Sequence, residues 1–378
     1  MQEIFSQYLS LIGNRKMLKK KLSVLGIAIV TVITPIIANA DVSVDDEGKV
    51  KLFGDLRIRA ERDDSEKADD SERDRERTRY RARFGVKFSM VKHWSGQMRL
   101  ATNSSSLNSP HVNFSTIEVD ENGKAVGDSN DADIGFDQAF IAYAGVKNLT
   151  LIAGKTPLNF TNSTEVFWDS DINPEALAAV YKSGKFTFNA AYATIVEGNW
   201  NDDIDAVFGQ VVYKTHYDKN KLTLAFGGAS VDSNNTFNGE NYLMVMADFS
   251  MGKLRFIGEY IDSDADIEDS AYTLQARYNL GDGWGVRAYW LHVEAFSTIA
   301  DGSVSQDDFP NPGNTGVSNY DGYRLQVDYK VNSNVAMDLR LYSMERLEDA
   351  ANLPATISDA IFNEKERTRL QLNMNYKF

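Results

Sequence analysis

The sequence contains no cysteine, and beyond residue 40 it has no apolar run of the roughly 20 residues that a membrane-spanning helix requires. Disulfide bonds are excluded, so a secreted chain of this kind needs another source of stability, such as a closed hydrogen-bonded sheet. The sequence also lacks a Walker A loop, a G-x-S-x-G motif, an H-E-x-x-H motif and any cysteine-based metal motif. We accordingly predict no enzymatic activity, no cofactor and no dedicated metal site.

Residues 1–40 have the three parts of a secretory signal peptide. Residues 17–21 (MLKKK) are basic, residues 22–33 are apolar, and residues 38–40 (ANA) match the cleavage pattern of small residues. We predict that this segment is removed on export. The stretch before Met17 is unusual for a signal peptide, which leaves two interpretations: translation starts at Met17, or the chain has a long dispensable leader.

The chain is acidic, with a formal net charge of −14. The signal-peptide segment carries five basic residues and one acidic residue, so the remainder is close to −18. Strong acidity argues against nucleic acid as a partner. The mean hydropathy of −0.37 resembles that of a soluble protein, but transmembrane barrels have similar values because only every second strand residue faces lipid. The period of the pattern is therefore more informative than its average.

From residue 49 onward, apolar and polar residues alternate with a period of two, which indicates strands with one apolar face. In residues 76–90 the odd positions are mostly basic and include Arg79, Arg81 and Arg83, whereas most even positions are apolar or aromatic. An arginine turned to lipid near the middle of a bilayer costs about 2–4 kcal/mol, so these three together would cost about 6–12 kcal/mol. We predict that they face water.

Sixteen alternating segments follow one another, and bacterial single-chain transmembrane barrels have an even number of strands. We place the segments at 49–61, 76–90, 96–103, 134–144, 149–156, 176–183, 184–196, 204–216, 221–231, 240–250, 253–262, 271–280, 284–296, 319–331, 335–347 and a last one that ends at Phe378. Alternate connections are very short, and those between them are mostly longer and polar: 62–75, 104–133, 157–175, 197–203, 232–239, 263–270, 297–318 and 348–364. This sorting is typical of transmembrane barrels, and a soluble sandwich has no reason for it.

We therefore predict an all-β fold for residues 41–378. It is a closed 16-stranded antiparallel transmembrane β-barrel with short periplasmic turns and long extracellular loops. The first strand should pair with the last, because an open sheet edge in hydrocarbon would leave backbone groups unsatisfied at a cost of several kcal/mol each.

Three features resemble the Gram-negative porins, in particular the group called putative porins. Phe378 ends an alternating strand, which resembles the signal that the outer-membrane insertion machinery reads, and the number of strands is also similar. The run WDSDINPE at 168–175 is similar to a block of that family, although Ala176 and Leu177 stand where a glycine is expected. The motif resemblance is confined to this loop and the terminus.

The resemblance implies a porin in the outer membrane of a Gram-negative bacterium, through whose water-filled pore small hydrophilic solutes and ions diffuse passively. It implies a homotrimer in contact with outer-membrane lipid and lipopolysaccharide. It also implies that the loop at 157–175 folds into the lumen and narrows it.

The candidate constriction combines a cationic wall with this acidic loop. Arginines of the first, second and last segments become neighbours when the barrel closes, and carboxylates of a loop lying opposite would face them. Such a transverse field would sort solutes by size and dipole where the gap approaches the Debye length of about 8 Å. The predicted site residues are Arg57, Arg79, Arg81, Arg83, Arg99, Arg369, Glu165, Asp169, Asp171 and Glu175. Alternatively, the arginines only stabilise the wall by pairing with Asp55, Glu61, Glu76, Glu364 or Glu366.

Other functions stay open. Stacked arginines also suit a substrate-specific, anion-selective channel, although the acidic loop argues against it. The long loops would suit a surface receptor or adhesin. A hydrolase would need a serine paired with a histidine and an oxyanion hole; His292 lies near Ser297 in sequence, but nothing in the pattern supplies the rest. The acidic run at 262–269 lacks the glycine and the bidentate glutamate of a calcium loop.

Overall fold

The computed structural model describes residues 41–103, 109–114, 117–119, 125–128, 133–196, 203–232, 240–299, 309–310, 318–349 and 364–378. All described residues belong to one compact unit of the chain, Ala38–Phe378. The predicted signal peptide lies outside the described residues. No helix in the described ranges is long and apolar enough to cross a membrane.

Sixteen long strands make up the described fold. They are β1 (Val50–Lys67), β2 (Glu72–Phe88), β3 (Trp94–Thr102), β4 (Ile134–Val146), β5 (Leu149–Lys155), β6 (Glu175–Ser183), β7 (Phe186–Val196), β8 (Ile204–Tyr217), β9 (Asn220–Asp232), β10 (Asn241–Met251), β11 (Leu254–Ser263), β12 (Ser270–Gly281), β13 (Trp284–Val293), β14 (Tyr320–Lys330), β15 (Val335–Arg346) and β16 (Glu364–Lys377). Shorter strands are Val42–Ser43 beside β1, Val112–Asn113 beside β2, and the pair Ile117–Val119 and Ala125–Asp128.

Every long strand pairs antiparallel with its neighbours in sequence, and β1 also pairs antiparallel with β16. Arg59 lies opposite Asn373 across this seam. The ring is therefore closed, and the prediction of a 16-stranded antiparallel barrel is confirmed. All sixteen predicted segments overlap one of these strands.

The outer surface of the barrel is apolar, and charged side chains are buried on part of the inside. Large apolar side chains lie on the outside, where Phe84 is 46% exposed, whereas Arg59 on the inside is 1% exposed. Contiguous apolar surface of this extent is stable only against lipid or a partner. The alternation in the sequence thus separates an apolar outer surface from an inner one. The inner surface is polar on β1, β2 and β16, whereas on β8, β10 and β11 it also buries apolar residues such as Phe208, Met244 and Ile257.

Two of the seven short connections, 89–93 and 331–334, have five and four residues. The other five are two-residue hairpins whose backbone matches the strand twist. Each contains at least one residue with positive φ, as the turns that suit right-handed strand twist require. They lie at 147–148, 184–185, 218–219, 252–253 and 282–283.

The prediction of a long loop at 62–75 is wrong. The first hairpin continues as paired strand to Lys67 and resumes at Glu72. Both faces of this extension are polar: Arg62 on the outer face bonds Asp64 and Glu76. Because neither face of this segment is apolar, its sequence pattern did not distinguish a paired strand from a loop.

The barrel seam is closed by the last residue. Phe378 and Gly54 exchange two backbone hydrogen bonds of 2.9 and 3.0 Å. The Phe378 ring covers Gly54 so closely that an added Cβ would lie 2.5 Å from it. Glycine is thus required here, because an added Cβ would also lie 2.6 Å from the backbone oxygen of Arg83.

Candidate pore-lining site

The inward faces of β1 and β2 place four arginines in two directly opposed pairs. Arg57 lies opposite Arg81, and Arg59 lies opposite Arg79. Like charges directly opposite one another are unfavourable on a sheet, so each needs compensating contacts. Asparagines of β16 supply two of them: Arg57 Nε donates to Asn375 at 2.7 Å and Arg59 Nε donates to Asn373 at 2.9 Å. Arg79 donates to the carbonyl oxygen of His111 at 2.9 Å.

One loop carboxylate is bonded directly to this wall. Asp171 accepts hydrogen bonds from Arg81 Nη1 at 3.0 Å and from Arg83 Nη2 at 2.7 Å. Burial alone would raise the pKa of Asp171, but the charges of Arg81 and Arg83 outweigh it and hold the pKa below its usual range. Asp171 is therefore ionised, and we call this contact the Asp171 latch.

A second carboxylate on the same wall was missed by the sequence reasoning. Asp137 of β4 accepts from Arg99 Nη2 at 2.6 Å and lies 3.7 Å from Arg83 Nε. The register between β3 and β4 shifts at this point, because Arg99 pairs with Gln138 while Leu100 pairs with Phe136. Asp137 is the extra residue of a β-bulge, and both Asp137 and Gln138 are buried. Strict alternation could not have placed both of them inside.

The connection between β5 and β6, residues 156–174, is called the inner loop here. Away from the latch it contacts the inward face of β8, where the Thr161 N–H donates to Gln210 at 2.8 Å. Trp168 packs edge-on against Phe208 with ring centroids 5.3 Å apart. Three strands further around the barrel, the Thr164 hydroxyl donates to Glu259 of β11. The loop therefore contacts strands on both sides of the lumen.

The other predicted loop carboxylates do not form a row that faces the arginines. Asp169 is buried and accepts the N–H of Asp171 at 2.8 Å, which shapes the turn around the latch. Glu165 is half-buried and has a positive φ of 64°. Glu175 is the first residue of β6 and is exposed on the outward side, like Leu177. The expected arrangement is thus corrected: Asp171 touches the wall instead of facing it across a gap, and Glu175 lies outside the group.

The structural interpretation of the arginines applies to the end of the barrel with the long loops. Asp63 of β1 accepts from Arg369 Nε at 2.5 Å, from Arg75 at 2.6 Å and from Arg367 at 3.2 Å. Arg77 pairs with Glu61. Arg369, which was predicted to line the constriction, is therefore part of a buried ion-pair network, whereas Arg81 and Arg83 contact the inner loop.

A profile of the family described as Putative porin matches residues 61–204. Among solved structures, the chain is similar to the high-pH structure of Pseudomonas putida OprB, with 10% sequence identity, coverage of 87% of this chain and 94% of that chain, and a TM-score of 0.55. It is also similar to the outer-membrane expressed OmpT of Vibrio cholerae, with 13% identity, coverage of 87% and 97%, and a TM-score of 0.50. No curated protein matches the sequence.

At these identities the structural similarity establishes the fold alone. The family match includes β2 to β7, the inner loop and the arginines from Arg77 to Arg99. It confirms the resemblance that the strand count and the loop motif predicted. The closed barrel and its apolar outer surface are those of an outer-membrane barrel, and over residues 61–204 the chain is similar to the putative porins.

Proposed function

We propose that small hydrophilic solutes and ions diffuse passively through a water-filled lumen of this barrel, and that the inner loop forms its constriction. The position of that loop carries the proposal. It is bonded to Arg81 and Arg83 on one side of the lumen and to Gln210 and Glu259 on the other. A loop fixed at both sides of a barrel limits the cross-section that a solute can use.

The constriction would select solutes by size and by charge distribution. Guanidinium groups keep their charge at every physiological pH, and Arg57, Arg59 and Arg81 lie together on the wall beside the loop. Asp171 and Asp137 are bound directly to arginines and neutralise part of the positive charge of this wall. The remaining arginine charge makes the electrostatic potential beside the loop positive. Polar solutes would cross by exchanging water for these groups.

Single-channel recording in a planar bilayer tests the proposal. The purified protein should give step-like openings whose conductance rises in proportion to salt concentration. Arg81→Gln removes a charge and one half of the Asp171 latch, so it should change both the conductance and the reversal potential in a salt gradient. Arg62→Gln is the matched control, since Arg62 lies on the outer face of the first hairpin.

Two results would contradict the proposal. One is a wild-type barrel that shifts in mobility between boiled and unboiled gel samples, which shows that it is folded, yet conducts no current. The other is an Arg81→Gln channel that cannot be distinguished from Arg62→Gln. The first result removes passive diffusion, and the second removes the constriction from this wall.

We also propose, from the resemblance alone, that the barrel assembles as a homotrimer among outer-membrane lipid and lipopolysaccharide. Chemical cross-linking of the protein in outer-membrane vesicles should give bands up to three times the monomer mass. A ladder that stops at the monomer would contradict this assembly.

A further inference from the structure

A second group of inward-facing arginines lies on a different part of the wall, on β12, β13 and β14. Arg277 lies opposite Arg287, and Tyr289 lies opposite Arg324. The Arg324 guanidinium stacks on the Tyr289 ring at 3.6 Å from its centroid. We call Arg277, Arg287, Arg324 and Tyr289 the Tyr289 cluster.

The charges in this cluster are incompletely balanced. Arg287 donates to Asp328 at 2.6 Å, and Arg255, which lies opposite Arg277 on β11, donates to Asp248 at 2.5 Å. Arg277 bonds only the neutral amide of Gln275 among the described residues. Like charges on both neighbouring strands would be unfavourable without a counter-charge. The cluster is thus a positively charged patch on the inward face of β12, β13 and β14.

Buried polar atoms beside Arg277 also lack partners. Gln275 Nε2 and Arg324 Nε make no hydrogen bond within the part of the chain that the structure describes. Buried donors without partners are costly and uncommon in folded proteins, and an ion or water is the usual explanation. Both are donors and call for an acceptor, and the Oε1 atom of Gln326, opposite Arg287, is a buried acceptor that also has no partner among the described residues. Arg277 and Arg287 themselves are only partly buried, so they are accessible from the lumen.

We propose that the Tyr289 cluster is a binding subsite for the oxyanion of a passing solute, a carboxylate or a phosphate. Arg277 and Arg287 would bind it, since two planar guanidinium groups match the paired oxygens of such anions. Arg324, held against Tyr289, would add positive charge from behind. This inference rests on the proposed diffusion function and deepens it, because it names the class of solute that is retained during passage.

The test measures the effect of small oxyanions on single-channel current in potassium chloride. Lactate and inorganic phosphate are the probes, and lactamide is the neutral counterpart of lactate. We expect lactate, phosphate or both to reduce the wild-type current with saturation, and lactamide to have no such effect. Arg277→Gln should raise the half-saturating concentration about tenfold, as expected for the loss of one charged hydrogen-bonding partner. Arg277→Lys should have a smaller effect.

Arg62→Gln, which removes the same charge from the outer face, should leave the half-saturating concentration unchanged. A conducting channel that neither probe blocks with saturation overturns the inference alone, and so does an Arg277→Gln channel with wild-type block. A folded but silent wild-type barrel overturns the proposed function and this inference with it. Block by phosphate only identifies phosphate groups as the ligand, and block by lactate only identifies carboxylates.

Discussion

The Asp171 latch provides the sharpest quantitative prediction. Asp171→Asn preserves the size of the side chain and removes its charge, so it should weaken the contact between the inner loop and the arginine wall. The Asp171 side chain is 19% exposed and those of Arg81 and Arg83 are 6% exposed. Water therefore screens these ion pairs little, and the charge carries most of the interaction.

The magnitude follows from the two arginine partners of Asp171, each counted as one charged hydrogen bond. A bond to a charged group contributes about 1.5–3 kcal/mol. Asparagine keeps one acceptor oxygen, and Arg81 keeps Asp55 at 2.7 Å while Arg83 keeps Asp137, so the low end of the range applies. The latch should lose about 3 kcal/mol, which is ~100-fold in its equilibrium between bound and released. Trp168 and Phe208 still hold the loop, so it should loosen at one end only.

The loosening of the inner loop can be measured with a spin label, because the chain has no cysteine that would compete with an introduced thiol. Ser170→Cys introduces a single thiol at an exposed position next to the latch. A nitroxide attached there should become more mobile in the Asp171→Asn background, and single-channel currents should fluctuate more. Asp74→Asn with the same label is the control, because Asp74 is an exposed carboxylate on the first hairpin. Equal mobility in the two backgrounds would refute the assignment of Asp171 as the group that fixes the loop.

Two further predictions concern pH and the barrel seam. Because the arginines lower the pKa of Asp171 in the folded protein, the latch should be fully present above about pH 4, the unfolded value, and be lost only as pH falls through the lower folded value; label mobility that rises between pH 7 and pH 5 would contradict this. Gly54→Val should destabilise the seam by about 1–3 kcal/mol, because its side chain overlaps the Phe378 ring. Ala60→Val, on the exposed face of the same strand, is the control, and the measurement is the temperature at which the folded band disappears from a gel.

The fold could be predicted from the sequence because every side chain that faces lipid must be apolar, and this holds in each strand. An inward arginine and an outward phenylalanine, such as Arg83 and Phe84, have no acceptable alternative placement in a bilayer, so alternation identified both faces. The rule fails where lipid is absent. Beyond the membrane the first hairpin is polar on both sides, and Arg62 there gave no sign that it belongs to a strand.

The candidate site was less predictable, since it depends on contacts between distant segments. The sequence identified the acidic loop and the arginine wall, but their distance apart could not be derived from a period. Asp137 enters the lumen through a bulge, which breaks the period by one residue. The Tyr289 cluster was missed because its arginines are spread singly over three strands, and a lone arginine on a polar face gives no signal. Only the register brings Arg277 and Arg287 together.

Net charge is a poor guide to what such a barrel transports, and this chain shows why. A solute inside the lumen responds to charges within about one Debye length, roughly 8 Å at physiological ionic strength. It therefore responds to the wall, where Arg277 and Arg324 lack carboxylate partners among the described residues, and not to acidic residues outside the lumen. The net charge of −14 sums every charged residue of the chain, whereas a solute responds to the charges beside it. The selectivity of the pore depends on the charges of the lumen wall.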